Sequence, residues 1–275
     1  MHRVRHRGLC LDSQLAYTRG PNVLQYALLD MLTPGRTVFV AERASPTRTT
    51  KYDLVTALLG ETCVSVDDRV PIELVNEALA QKALPQFQQY SSIRREVPRG
   101  RSRLDFLLSS RTSQCFLEIK SVTLVRKSVA FFPDAPTERG RLHVESLVWA
   151  KKEGYEAAIV FVIQRDDAEG FSPNDEVDPE FSQTLRLAQI KGLGIYAYKC
   201  RVKPNEVELA GQVPGLDEQR RAAQEAVNRE SARLSDIGAR LEALRALQEK
   251  VQTEGKLKPW LDKHGLGGLI IIPDK

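Results

Sequence analysis

The chain has 275 residues, 42% of them hydrophobic and 28% charged, with 40 basic against 36 acidic side chains. That composition is too apolar for wholesale disorder, and no apolar run approaches the ~20 residues of a membrane helix, so neither a wholly disordered chain nor a protein spanning a membrane by helices is expected. Four cysteines, Cys10, Cys63, Cys115 and Cys200, lack zinc-site spacing and are too sparse for a disulfide framework, so they read as reduced thiols of a cytoplasmic protein.

In chain order, residues 1–19 are basic but lack the apolar centre of a secretory signal. A short helix is expected at 23–32, ended by Pro34-Gly35. Residues 37–42, 52–59 and 62–66 read as strands of a small β unit that closes at Asp67-Asp68. From 72 to 84 the apolar residues Ile72, Val75, Leu79 and Leu84 recur at helical spacing, with Pro85 as the stop. Strands are expected at 93–97, 103–108 and 115–122, then a helix at about 137–153. Residues 157–163 form a nearly unbroken apolar strand, the pattern of burial on both faces. A helix at 179–191 and a strand at 194–199 complete an α/β order.

Residues 211–215 read as a linker to a C-terminal helix. There Leu234, Ile237, Leu241, Leu244 and Val251 follow an alternating 3, 4 spacing, with Gln248 filling one slot. Such a stripe either packs on the body of the protein or pairs with a second copy as a homodimer. An apolar strand at 269–272 ends the chain. Three units are expected: 1–68, 69–213 and 214–275.

The positive charge is concentrated. Residues 69–131 hold 11 basic and 5 acidic groups. Arg94, Arg95, Arg99, Arg101, Arg103 and Arg111 are opposed locally only by Glu96 and Asp105. Arginine pairs bidentately with phosphate, so this stretch is a candidate nucleic-acid contact, with a plain solvated face as the alternative.

Within it, residues 103–108 and 115–120 flank a polar turn around Thr112. A hairpin centred there has a constant index sum of 223, which makes Asp105 face Glu118 and Arg103 face Lys120. Leu104, Phe106, Leu108, Leu117 and Ile119 then form the opposite, core face. Facing carboxylates have Cβ atoms about 5 Å apart and cost stability. A hard divalent cation, Mg²⁺ or Mn²⁺, offsets that cost and can activate water at a phosphoryl group. Lys120 adds a mobile positive charge on the same face. Alone, the same residues also suit an exposed ladder of salt bridges.

The surrounding strings resemble the sugar fermentation stimulation protein family (SfsA). The resemblance rests on Arg94-Arg95-Glu96-Val97, Ser102-Arg103-Leu104-Asp105-Phe106-Leu107-Leu108, Leu117-Glu118-Ile119-Lys120-Ser121-Val122-Thr123-Leu124, Phe132-Pro133-Asp134-Ala135-Pro136-Thr137-Glu138-Arg139-Gly140 and Asp178-Pro179. It covers about 29–209. It implies an N-terminal OB-like β-barrel, a domain similar to the PD-(D/E)XK nucleases, DNA binding, and a regulatory role in sugar metabolism. By that likeness Asp105, Glu118 and Lys120 occupy the metal and catalytic positions. Glu77, on the helix before the sheet, is a further candidate metal ligand. Arg139 and His143, spaced i, i+4 on one helix face, are candidate phosphate contacts. The expected function is a DNA-binding protein with a metal-dependent phosphodiester-hydrolysing site. The alternative is a non-catalytic, sequence-nonspecific DNA-binding regulator.

Overall fold

The computed structural model describes residues 3–5, 8–11, 32–33, 35–42, 52–100, 102–253 and 257–266. The helix expected at 23–32 (its last residue apart), the strand expected at 269–272 and Arg101 lie outside these residues. Strands β1 (Arg3–Arg5), β2 (Gly8–Leu11), β3 (Val38–Glu42), β4 (Tyr52–Leu59) and β5 (Thr62–Ser65) lead into helix α1 (Val70–Ala80). Next come β6 (Ser92–Arg99), β7 (Ser102–Ser109), β8 (Gln114–Val122), β9 (Val125–Arg126), β10 (Val129–Phe132) and α2 (Glu138–Lys152). The remainder is β11 (Glu156–Ile163), β12 (Gly170–Pro173), α3 (Pro179–Ile190), β13 (Gly194–Lys203), β14 (Glu206–Val213), α4 (Leu216–Thr253) and α5 (Leu257–Lys263). The protein is α/β, as expected.

The chain divides into two compact units, Met1–Glu218 and Gln219–Lys275. The first is built on a seven-stranded mixed sheet of order β1-β14-β13-β11-β8-β7-β6. Its central strands β8, β11 and β13 run parallel, and β7 and β6 continue antiparallel from β8. The apolar strand β11 is buried on both faces, and its side chains alternate between two cores. Ala157, Ile159, Phe161 and Ile163 pack with Val144, Leu147, Phe181 and Leu185 of α2 and α3. Ala158, Val160 and Val162 pack on the other side with Leu74, Val75 and Ala78 of α1. An antiparallel sheet β2-β3-β4-β5 has its own small core of Val38, Ala57, Val64 and Val66. The boundary expected at 68/69 follows this sheet but falls inside the first compact unit.

Two features depart from expectation, and a third extends it. A small sheet, β12-β10-β9, occupies a stretch read as loop. Residues 206–213, partly read as linker, form β14, which pairs antiparallel with β13 through a bulge at Lys199/Cys200. The third concerns the C-terminal helix. Its described side chains from 224 to 250 are exposed, the apolar stripe included. Among the described residues no helix is long and apolar enough to cross a membrane.

Candidate metal and nucleic-acid site

The hairpin β7–β8 keeps the expected register only in part. From the turn outward, Ser109 faces Gln114, Leu108 faces Cys115, Leu107 faces Phe116 and Phe106 faces Leu117, and the ladder ends there. Asp105 and Arg103 therefore do not take Glu118 and Lys120 as ladder partners. The neighbouring strand is irregular at the same level. In β6 Glu96 has φ 52°, a left-handed conformation, between the pairs Arg95↔Phe106 and Val97↔Leu104. Such kinks re-aim side chains. Here Leu104 joins the α2-side core while Phe106 and Leu108 stay in the α1-side core, which corrects their assignment to one face. The Asp105 carboxylate turns into the gap and accepts the Ile119 backbone N–H at 2.7 Å, taking the place of a ladder bond.

Glu118 lies on the α2 side of β8 and is only 2% exposed. Its Oε1 accepts from Lys120 Nζ at 2.6 Å and from Nδ1 of the buried His143. Arg139 donates its Nε–H to His143 Nε2 at 3.4 Å, so Nε2 is the acceptor and the ring proton on Nδ1 faces Glu118. Lys120 Nζ lies 3.3 Å from that Nδ1. The other oxygen, Glu118 Oε2, is buried without a hydrogen-bond partner.

The two carboxyls are pushed apart electrostatically. Burial, and then the charge of Glu118, raise the Asp105 carboxyl to about 6, against the Ile119 N–H and the positive groups nearby. Burial also acts to raise Glu118, but the hydrogen bond from His143 and the charge of Lys120 outweigh it and hold the group below the ordinary glutamate value. One carboxylate is held ionised and the other reluctant, a pattern found where acid–base or metal chemistry is done. An orphaned buried carboxylate oxygen beside a second carboxyl of raised pKa fits a divalent cation, which would satisfy Oε2 and relieve the repulsion.

Glu77 is not brought to this pair. It sits on α1, which packs against the opposite core, and accepts from Gln81 Nε2 within its own helix at 3.1 Å. Among the described residues no group of three or more His, Cys, Asp or Glu side chains is arranged to hold a metal ion.

The arginines divide. Arg94, Arg111 and Arg139 are exposed, and Arg103 is exposed 3.5 Å from Glu96. Arg95 forms an ion pair with Glu73 at 2.6 Å. Arg99 is mostly buried, bonded to Glu153 at 2.7 Å with its guanidinium 4.6 Å and 5.3 Å from the Phe116 and Tyr155 ring centres, so it serves packing.

Two polar residues that hold the site in place were given no role by sequence reasoning. The buried Asp178 accepts Phe181 N–H and Thr137 N–H, each at 2.8 Å, and pairs with Arg141 at 3.2 Å. It thereby caps α3 and fixes the residue before α2, the helix that carries Arg139 and His143. Its signal was present in Asp178-Pro179, a cap followed by proline at the first helical position. Gly140 completes that junction, because a Cβ there would lie 2.7 Å from Thr137 Cγ2. The second is Gln164, whose amide bridges Ser65 Oγ and Ser121 Oγ, each at 2.8 Å, tying β5 to the end of β8. No sequence signal marked it.

Comparison with known proteins agrees with this architecture. Residues 69–206 match the family model described as the sugar fermentation stimulation protein RE domain. A sugar fermentation stimulation protein homolog of Chloroflexus aurantiacus is 46% identical over 187 residues, 68% of this chain and 72% of that protein. The homolog of Clostridium perfringens is 43% identical over 185 residues, 67% of this chain and 80% of its own length. Among solved structures, Pyrococcus furiosus SfsA in complex with Ca²⁺ superposes with a TM-score of 0.64 at 26% identity, covering 68% of this chain and 81% of that one.

Proposed function

The chain belongs to the sugar fermentation stimulation protein family, and from that premise we propose that it binds DNA and hydrolyses its phosphodiester bonds at a divalent-cation site formed by Asp105 and Glu118. The observation that carries this reading is Glu118 Oε2, a buried carboxylate oxygen with no partner, next to a second carboxyl whose pKa is pushed to about 6. A pure binding protein has no need of that costly pair. The Ca²⁺ in the Pyrococcus furiosus relative supports a hard, oxygen-liganded cation. In this chain Mg²⁺ or Mn²⁺ bound by Asp105 and Glu118 would supply Lewis-acid stabilisation of a phosphoryl oxygen and a water of lowered pKa.

The protein's own groups do the rest. His143 and Lys120 both hold Glu118 Oε1, which leaves Oε2 oriented and ionised. Lys120, only partly buried, offers its ammonium to charge that develops on the phosphate. Exposed Arg139, one helical turn before His143, carries a phosphate contact on the same helix face. Exposed Arg94 and Arg103 extend the phosphate-binding surface along the outer strands, with Arg95 as a further contact. Such contacts are independent of base sequence, so affinity falls steeply with added salt. In this reading the domain is a PD-(D/E)XK-type nuclease, the β2–β5 sheet is part of an OB-like barrel, and the free thiols Cys63, Cys115 and Cys200 suit the cytoplasm.

A second reading, a non-catalytic DNA-binding regulator on the same scaffold, is favoured by one observation: no third acidic or histidine ligand joins the pair among the described residues. Incubating the protein with labelled single- and double-stranded DNA and RNA in Mn²⁺, Mg²⁺ or chelator separates the two. Metal-dependent cleavage lost in Asp105→Ala and Lys120→Ala supports the nuclease. Binding that persists in chelator, with no cleavage under either metal, supports the regulator.

A further inference from the structure

The helix α4 runs for 38 residues, about 57 Å at the usual rise. A helix of that length with an uncovered apolar face is expected to have a partner. Leu234, Ile237, Leu241 and Leu244 are 70%, 54%, 49% and 63% exposed, and they lie in one stripe. In heptad terms Leu234 and Leu241 are a positions, and Ile237 and Leu244 are d positions. The same frame gives two polar core positions: Glu230 at d and Gln248 at a.

We propose that this stripe is a homodimerisation surface, and that two copies of α4 pair antiparallel about a two-fold axis close to Ala239. The polar core positions decide both occupant and direction. In a parallel pair each core residue meets its own copy. Glu230 would then face Glu230 of the second copy, a like-charge contact at the core. In the antiparallel pair, a positions meet d positions. Leu234 meets Leu244 of the second copy, Ile237 meets Leu241, and Glu230 meets Gln248. Every apolar position then finds an apolar one, and the two polar positions find each other.

Gly238 fits the same arrangement. It interrupts a helix interior, where glycine is less favourable than alanine, and its missing side chain leaves open space. In the antiparallel register it falls beside the axis, where Gly238 of each chain flanks the other and the helices can approach closely. Arg240, which lies near its own copy in this register, already has Asp236 as a partner at 3.0 Å. The surface depends only on α4 and is independent of the nuclease reading.

The test is the molar mass of the full chain in solution across a concentration series, with two variants. The wild type is expected to approach twice the chain mass. Leu241→Lys, at a side chain already exposed in the single chain, is expected to weaken association at least 100-fold. Gln248→Lys separates the orientations. Opposite Glu230 of the second copy it should tighten the dimer several-fold, whereas in a parallel pair it sets two lysines together and loosens it. A wild type that stays at the single-chain mass throughout, a dimer indifferent to Leu241→Lys, or a dimer loosened by Gln248→Lys overturns the proposal.

Discussion

The α/β unit and the C-terminal helix break the usual rule of burial in opposite directions. In the first, Glu118, His143 and Asp178 are charged or polar groups sunk among Phe, Leu and Val. In the second, leucines and isoleucine stand in solvent along an otherwise charged helix. Buried polar groups persist when they are satisfied or when they work, and exposed apolar stripes persist when something covers them. The Asp178 cluster is fully bonded and is structural. Glu118 retains an unsatisfied oxygen and points to chemistry. The stripe of α4 points to association.

The largest effect that sharpens this contrast is loss of Glu118. Glu118→Ala leaves Lys120 and His143 facing a buried gap, and should cost ~3–5 kcal/mol in urea unfolding. If the site were an ordinary surface ladder, the cost would stay below ~1 kcal/mol.

Next is the pH dependence of stability. The Asp105 carboxyl is raised from 3.8 to about 6 on folding, so the folded state holds the proton more tightly. Its contribution is fully present below the ordinary value and is lost as pH rises from about 4 to about 6, by up to ~3 kcal/mol. Glu118, held low, contributes the opposite slope: stability present above its ordinary value and lost as pH falls through its depressed one. Asp105→Asn should remove only the first component from unfolding curves recorded in chelator.

Smaller again is Asp178→Ala, which uncaps α3 and frees Thr137. A loss of ~1–3 kcal/mol is expected, together with weaker DNA binding, because the helix bearing Arg139 is less fixed. The smallest effect is on the other side of the comparison. Leu241→Lys should leave the unfolding of the α/β unit within ~0.5 kcal/mol in dilute solution. A larger loss would mean that the stripe supports that unit and is no docking surface.

Much of the α/β order was legible because its signals are local. The unbroken apolar run at β11, the i, i+3/i+4 spacing of α1 and the turn around Thr112 each depend on neighbours in sequence. The register of the β7–β8 hairpin could be read from its turn as far as Phe106. The break at Asp105 lies level with the left-handed Glu96 on another strand, which no pattern within the hairpin encodes. The strand β14 was obscured by Gly211 and Pro214, which read as a linker until β13 and β1 are placed on either side. Asp105, Glu118 and Lys120 were singled out through the family-like strings around them, since by type and spacing alone they also suit a salt-bridge ladder. The role of His143 was not legible, because its burial against Glu118 depends on how α2 crosses the sheet. Glu77 followed from helix position alone, and packing of α1 on the opposite core keeps it away.

The central claim is that Asp105 and Glu118 together hold a divalent cation. Calorimetric titration of Ca²⁺ and Mn²⁺ into the metal-free full chain, beside Asp105→Asn and Glu118→Gln, tests it most directly. The account predicts one saturable site in the wild type, weakened at least tenfold in each variant while each stays folded. A wild type that binds neither cation, or variants that bind as well as the wild type, would contradict it.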